Sequence, residues 1–142
     1  MACQAIVHLA WGQWREDRGE DPAGTWDAAL AVCDRALARN PNLAEALTYR
    51  AQIRLARGRW RESRSEDPED DYRAALAACD RAVAVNPRLA EGETCRASVH
   101  QILGYWQESR GVDPEPAYRA ALAGNDRALV LNPTLWQAHT NR

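Results

Sequence analysis

Apolar residues along the chain fall into helical stripes that are separated by short polar breaks. Between residues 43 and 60, Leu43, Leu47, Ala51, Leu55 and Trp60 recur at close to the period of an α-helix. After a break, a second stripe of the same kind comprises Tyr72, Ala75, Leu76, Cys79, Ala82 and Val83. No segment alternates apolar and polar residues with the period of a strand. The pattern therefore predicts helices near residues 44–64 and 68–85, and the same pair again 46 residues later.

Residues that start and stop helices lie at the ends of these stripes. Asp67 is expected to cap the second helix, with Pro68 at its first position, where the missing N–H costs nothing. Asn42 and Glu45 have the spacing of a capping box before the first helix. Pro87 should end the second helix, because the residue before a proline is biased away from helical geometry.

The sequence repeats itself with a period of 46 residues and without gaps. The matching positions are Trp14, Trp60 and Trp106; the Asp-Pro pairs at 21–22, 67–68 and 113–114; the aromatics Trp26, Tyr72 and Tyr118; and the Asn-Pro pairs at 40–41, 86–87 and 132–133. Two amphipathic helices cannot bury their stripes alone, whereas stacked copies can. We therefore predict an all-α protein, an α-solenoid of stacked antiparallel helix pairs in one domain. Its repeats would be 1–41, 42–87 and 88–133, followed by a partial helix at 134–142.

Small and aromatic residues within each repeat resemble those of the tetratricopeptide repeat (TPR) family. The positions concerned are Ala51, Gly58, Tyr72, Ala75, Ala82 and Pro87 in the middle repeat, and Ala97, Gly104, Tyr118, Ala121, Ala128 and Pro133 in the third. The resemblance covers the whole chain and implies a right-handed superhelix. The family unit has about 34 residues, so roughly 12 extra residues lengthen each hairpin tip. Sel1-like repeats are the alternative at the level of the fold, although the Asn-Pro closure favours the TPR interpretation.

The repeated aromatic and charged residues near the hairpin tips have two interpretations each. The six aromatics Trp14, Trp26, Trp60, Tyr72, Trp106 and Tyr118 could form a ligand-binding ridge. We expect instead that each tryptophan packs across its own hairpin against the aromatic of the second helix. The charges that recur at Glu62, Arg64, Asp80 and Arg81 could form a recognition stripe. We expect instead that they form ion pairs between stacked neighbours and complement the charges of the helix ends.

Composition argues against several classes of function. The net charge is −2, with 18 basic and 20 acidic residues, which does not favour binding to nucleic acid. No apolar run approaches the roughly 20 residues that span a membrane. The chain has no phosphate-binding glycine loop and no catalytic grouping, and its histidines are too dispersed for a metal site. We therefore expect no enzyme activity, no cofactor, and a location in the cytoplasm.

The four cysteines do not form a CxxC pair, which disfavours zinc. Cys33 and Cys79 occupy equivalent positions in adjacent repeats, so at least one helix-packing distance of about 8–10 Å should separate them. The same argument separates Cys3 from Cys95, which lie two repeats apart. A disulfide cannot bridge that distance, and the sequence predicts buried free thiols.

The family resemblance implies that the first helix of each repeat lines a concave face that binds extended peptides. Here that face would carry Glu45, Thr48, Gln52, Arg59, Glu91, Thr94, Ser98 and Gln101. The basic clamp with which the family holds acidic C-terminal tails is missing. The first hypothesis is therefore a protein-interaction scaffold with an unknown protein or peptide partner, and a solvated groove without a specific ligand is its alternative.

The chain begins and ends inside a first helix when the repeats are aligned. Polar capping repeats, which solenoids normally need for solubility, are not evident. The alternative hypothesis is a self-assembling structural protein whose ends meet head to tail in filaments or rings. The residues expected at such a contact are Ile6, Leu9, Leu135 and Trp136.

Overall fold

The structure is a computed structural model that describes the backbone of residues 2–134 and the side chains of residues 7–134. These residues form six α-helices and no strand. The helices are α1 (Ala2–Asp17), α2 (Ala23–Arg39), α3 (Ala44–Ser63), α4 (Glu69–Val85), α5 (Ala90–Ser109) and α6 (Glu115–Leu131). The two helices predicted for the middle repeat agree with α3 and α4 to within one residue. The prediction of an all-α helical repeat fold is confirmed.

Consecutive helices pack as three hairpins, α1 with α2, α3 with α4, and α5 with α6. The hairpins stack because α3 also packs against α2, and α5 against α4. In addition, α3 contacts both α1 and α5, so the three first helices form one continuous layer. The second helices form the other layer, and in the described part of the chain they make no contact with one another.

An aspartate caps the second helix of each hairpin from the position just before the N-cap residue. The sequence suggested that the aspartate would itself be the N-cap residue. Pro68 is the N-cap residue of α4, and the Asp67 carboxylate accepts the N–H of Glu69 at 2.9 Å. Asp21 and Asp113 do the same at the starts of α2 and α6. The carboxylate therefore satisfies one of the free N–H groups, as expected.

The capping box predicted at Asn42 and Glu45 is wrong. Leu43 is the N-cap residue of α3, its backbone is extended, and it makes no side-chain cap hydrogen bond. The side-chain oxygen of Asn40 instead accepts the N–H of Asn42 at 3.1 Å, which forms a turn before the helix. Asparagine is favoured both in turns and at helix N-caps, so the residue type alone does not distinguish the two roles.

Two residues after the end of the first helix, each hairpin has a residue with left-handed backbone geometry. These residues are Gly19 (φ 74°), Ser65 (φ 60°) and Gly111 (φ 73°). Beyond Ser65, the N–H of Glu66 donates to the carbonyl of Arg61 at 2.8 Å, which closes the end of α3 as in a Schellman motif. Glycine fits this geometry without penalty, whereas serine does not.

Glycines in the first helices allow the aromatics of the second helices to approach closely. A Cβ atom at Gly58 would lie 2.6 Å from the ring of Tyr72, and Gly12 and Gly104 face Trp26 and Tyr118 in the same way. Such a distance is too short for a real contact, so only glycine fits there. The Trp26 and Tyr72 side chains are 0% exposed, and they anchor the first two hairpins.

Polar contacts also connect neighbouring hairpins. Asp34 pairs with Arg50 at 3.1 Å between α2 and α3, and Asp80 pairs with Arg96 at 3.5 Å between α4 and α5. The expected ion pairing between stacked neighbours is therefore present at both junctions. These partners are partly exposed, so each pair contributes little to stability.

Replacement of Ser65 by glycine should stabilise the protein. The serine holds a left-handed conformation that costs a non-glycine residue about 1 kcal/mol, and its side chain is exposed. We expect the free energy of unfolding in urea to rise by roughly 0.5–1 kcal/mol in Ser65→Gly. The matched variant Gly111→Ser should lose a similar amount, and a loss of stability in Ser65→Gly would contradict the assignment.

Candidate functional site

The layer of first helices carries a groove on its open side. One part of the groove has a volume of about 320 Å³ and lies between α1, α3 and α5. Its walls comprise Leu9, Gln13, Gln52, Leu55, Ala56, Arg59, Glu91, Thr94, Cys95 and Ser98. A second part, of about 720 Å³, is lined by Leu55, Arg59, Glu62, Ser63, Ser98, Gln101, Ile102 and Tyr105. Because Leu55, Arg59 and Ser98 line both parts, the groove is continuous along α3 and α5.

Most residues expected on the concave face contribute to this groove. Those that line it are Gln52, Arg59, Glu91, Thr94, Ser98 and Gln101. Glu45 is exposed but does not line either part. Thr48 was placed on the open face wrongly, because its side chain is only 4% exposed and its hydroxyl donates to the carbonyl of Ala44 at 2.9 Å. A buried hydroxyl that is already bonded within its own helix is not available to a ligand.

Apolar residues of the groove were not recognised from the sequence. They are Leu9, Leu55, Ala56, Ile102 and Tyr105. Leu55 and Ala56 lie one helical turn beyond Gln52, and Ile102 and Tyr105 lie one and two turns beyond Ser98. This spacing could have indicated a shared face, but Leu55 also belongs to the apolar stripe that the pattern assigns to the core.

The charges of the groove do not form a basic surface. Arg59 is exposed and faces both parts of the groove, where Glu62 and Glu91 also lie. Glu62 accepts a hydrogen bond of 2.5 Å from the hydroxyl of Tyr72. Burial raises the pKa of Tyr72 above its usual range, and the bond to Glu62 raises this pKa further. One arginine therefore faces two carboxylates, one of which is engaged by a tyrosine.

The tip tryptophans pack between hairpins, and the expectation that each packs within its own hairpin is wrong. Trp60 meets Trp26 of the preceding hairpin edge to face, with ring centroids 6.1 Å apart and planes at 77°. Trp106 meets Tyr72 in the same way, at 6.1 Å and 74°. Residues that are two positions apart on a helix point about 200° away from each other. Trp60 therefore faces away from the side on which Gly58 contacts Tyr72 of its own hairpin.

Trp14 is the tip tryptophan of the first hairpin, and Tyr118 is the second-helix aromatic of the last hairpin, so each lies at one end of the series of aromatics that pack between hairpins. Trp14 is 52% exposed, whereas Trp60 and Trp106 are partly buried. The ring of Tyr118 meets Tyr105 of its own hairpin at 5.6 Å.

An arginine four residues after each tip tryptophan covers its ring. The distances from the guanidinium carbon to the ring centroid are 4.8 Å for Arg18 over Trp14, 4.9 Å for Arg64 over Trp60 and 5.1 Å for Arg110 over Trp106.

The residues expected at an end-to-end contact are described only in part. Leu9 is partly buried, packs against the core around Trp26 and lines the groove, so its assignment to an end surface is wrong. Its position on α1 directs it towards α3 instead. The side chain of Ile6, and both Leu135 and Trp136, lie outside the described residues.

A metal site and a membrane-spanning helix are both absent from the described residues. Within them, no group of three or more histidine, cysteine, aspartate or glutamate side chains could hold a metal ion. None of the six helices combines the length and the apolar character that a membrane crossing requires.

Comparison with known proteins establishes the fold. No protein-family model matches the chain, and no curated protein does. Among solved structures, it is similar to the first TPR domain of Spaghetti (RPAP3) bound to the HSP90 peptide SRMEEVD, with a TM-score of 0.60 and 17% identity over 99% of this chain and 88% of that one. The chain has a TPR-like fold.

Two further TPR domains support this assignment. The first TPR domain of human RPAP3 superimposes with a TM-score of 0.60 at 16% identity, over 99% of this chain and 87% of that one. The second TPR domain of human RPAP3, in complex with the HSP70 peptide SGPTIEEVD, gives 0.58 at 19% identity, over 98% and 92%. The helical hairpins of the chain therefore stack as those of TPR domains do.

Truncation of the tip tryptophans should reveal their unequal surroundings. We expect Trp106→Ala to cost about 2–4 kcal/mol of unfolding free energy, because it removes the ring that covers Tyr72. Trp14→Ala should cost less than about 1 kcal/mol, because half of that side chain is exposed. Urea unfolding of the two variants measures the difference, and equal losses would contradict the packing between hairpins.

Proposed function

We propose that the protein is an interaction module whose groove binds an extended segment of a protein partner. The observation that carries this proposal is the continuous groove along α3 and α5, which is lined by both polar and apolar side chains. Packed helices lie about 10 Å apart, and an extended chain advances about 3.3 Å per residue. A segment of roughly six residues is therefore long enough to cross from α1 to α5.

The polar residues of the groove suit the backbone of such a segment. Gln13 and Gln52 each offer an amide group that can both donate and accept a hydrogen bond. Ser98 offers a hydroxyl at the point where the two parts of the groove meet. An extended peptide exposes its own N–H and C=O groups, and these side chains can satisfy them without regard to the partner's sequence.

The apolar residues of the groove supply the other half of the recognition. Tyr105 is 56% exposed and lies beside Leu55 and Ile102 in the larger part of the groove. Burial of a partner's leucine- or phenylalanine-sized side chain there would contribute about 1.5–3 kcal/mol. We therefore expect selectivity for segments that carry one or two apolar side chains.

The charge of the groove does not suit acidic peptides of the kind named for the structural neighbours. The RPAP3 domains are bound to SRMEEVD and SGPTIEEVD, both of which end in acidic residues. Arg59 is accompanied here by Glu62 and Glu91, so an acidic tail would meet repulsion as well as attraction. The proposed partner segment is therefore uncharged or mildly charged.

A peptide array with two groove variants tests the proposal. We expect peptides that bind the unmodified protein to lose at least about tenfold in affinity on Gln52→Arg or Ser98→Arg, because the longer side chain fills the groove. Ala77→Arg on α4 is the matched control, since Ala77 is exposed and does not line the groove. Binding that is unchanged in both groove variants would refute the proposal.

The relative affinities of a neutral and an acidic peptide test the proposed selectivity independently. We expect a neutral peptide selected on the array to bind at least about ten times more tightly than SRMEEVD. Its affinity should change less than about twofold between 50 and 300 mM salt, because screening affects charged contacts above all. Tighter binding of SRMEEVD, measured by fluorescence anisotropy, would show that the recognised chemistry is acidic.

Self-association is the second candidate function, and exposed apolar side chains on the first and last helices favour it. Val7, Trp11 and Trp14 are exposed on α1, and Leu122 and Val130 are exposed on α6, with Val130 83% accessible. At the internal junctions, Trp60 and Trp106 cover the preceding hairpin. An α1 from a second copy could cover α6 in the corresponding way.

Light scattering at several protein concentrations tests self-association. Growth of the average mass with concentration, reduced by Trp14→Arg and Val130→Arg, would support it. A mass that stays at 15.9 kDa throughout would exclude it. The groove variants leave both helix surfaces unchanged, so the two functions can be tested separately.

A further inference from the structure

The junction between the second and third hairpins contains two cysteines in direct contact. Cys79 on α4 and Cys95 on α5 are both buried, and their sulfur atoms lie 3.1 Å apart. Both thiols are reduced, and the Cys79 thiol donates to the Cys95 sulfur. Cys95 in turn lies 3.9 Å from the carbonyl oxygen of Thr48. The two thiols therefore form a hydrogen-bonded pair inside the repeat junction.

We propose that Cys79 and Cys95 form a reversible disulfide that covalently joins the second hairpin to the third. A disulfide needs its sulfur atoms about 2.05 Å apart, so they must approach by about 1 Å. This approach can come from small rotations of the two side chains. The proposal does not depend on any ligand in the groove.

The surroundings of the pair allow this small movement. The buried residues of the same core cluster are Ala51, Ala75, Ala78 and Val99, which have small side chains, and the larger Leu55, Leu76 and Leu103 pack against the cluster from partly buried positions. At the preceding junction, the residues equivalent to the pair are Cys33 and Tyr49. That junction therefore has a cysteine in the same place without a partner cysteine opposite, which makes it an internal control.

The two cysteines differ in their position relative to the groove. Cys95 lines the smaller part of the groove and is 5% exposed, whereas Cys79 is 0% exposed, so a reagent in the groove is nearer to Cys95. The bond to Cys95 and the burial raise the pKa of Cys79 well above its usual range. Attack by Cys95 therefore comes first, and the link forms slowly, in response to the ambient thiol-disulfide balance.

A low-molecular-weight disulfide, such as that of glutathione, serves as the oxidant. The thiolate of Cys95 attacks one sulfur of the small disulfide, whose S–S bond breaks and releases one thiol. The thiolate of Cys79 then attacks the Cys95 sulfur of the mixed disulfide and releases the second thiol. Two protein thiols lose two electrons in total, the small disulfide gains them, and the two departing thiolates take up the two protons.

Peptide mapping after oxidation identifies the link. We would treat the reduced protein with glutathione disulfide, block the remaining thiols, digest with trypsin and analyse the peptides by mass spectrometry. Cleavage after arginine places Cys79 in the peptide 74–81, Cys95 in 89–96 and Cys33 in 19–35. The expected product joins 74–81 to 89–96, about 2 Da lighter than the two peptides together.

Absence of the joined peptide pair after oxidation would overturn the proposal. Blocked or glutathione-bearing thiols at both Cys79 and Cys95, without a joined pair, would refute it. Refolding from urea in the same glutathione buffer removes any limit on access, and absence of the joined pair there as well makes the refutation complete. Equal joining of either peptide to 19–35 would show that the native contact does not direct the reaction.

Thermal unfolding measures the consequence for the junction. The link closes a short loop between α4 and α5, so the oxidised protein should melt about 10 °C higher than the reduced protein. Cys33→Ala should retain this shift, whereas Cys79→Ala and Cys95→Ala should lose it. A shift that persists in Cys79→Ala would assign the effect to another cysteine and overturn the proposal.

Discussion

The stacking of this protein depends on the aromatic residue near the start of each second helix. Tyr72 shows the arrangement: its ring packs closely against the bare backbone of Gly58 in its own hairpin, and Trp106 of the next hairpin meets it edge to face. The glycine fixes the distance within the hairpin, and the tryptophan fixes the position of the neighbour. Because Trp26 makes the same two kinds of contact, one side-chain arrangement repeated along the chain determines both the hairpin and the stack.

This arrangement also explains the form of the groove. Since the large rings and the second helices occupy one side of the stack, the first helices are left to contact one another on the other side. Alanine-rich second helices keep the hairpins close, and the residues of α3 and α5 that are not needed for packing face the open side. Gln52 and Ser98 therefore lie in the same groove although 46 residues separate them. A stack of this kind presents a surface suited to extended segments.

The predictions from the sequence succeed where they depend on local periodicity and fail where they depend on contacts between elements. The helix bounds follow from the apolar stripes and from Pro68 and Pro87, which act through their own backbone. Gln52 and Ser98 could be assigned to the open face because the family resemblance implies that the first helices line it, and both residues do line the groove. Thr48 was misplaced because its burial depends on how closely the neighbouring helices approach. The tryptophan contacts were misassigned for a similar reason, since matching distance from the turn does not reveal which neighbour a side chain faces.

The sequence by itself determined the six helices of the described residues, their pairing in hairpins and their repetition, because a gapless repeat of amphipathic patterns has few other ways to bury its apolar surface. Tertiary structure alone decided which rings meet across the junctions and which apolar residues remain open in the groove. It also brought Cys79 to Cys95, two residues that occupy different positions in their repeats and that no comparison of equivalent positions would pair. The physical reason is that the angle and distance between packed helices are set by side chains from both, and a pattern along one chain segment contains only half of that information.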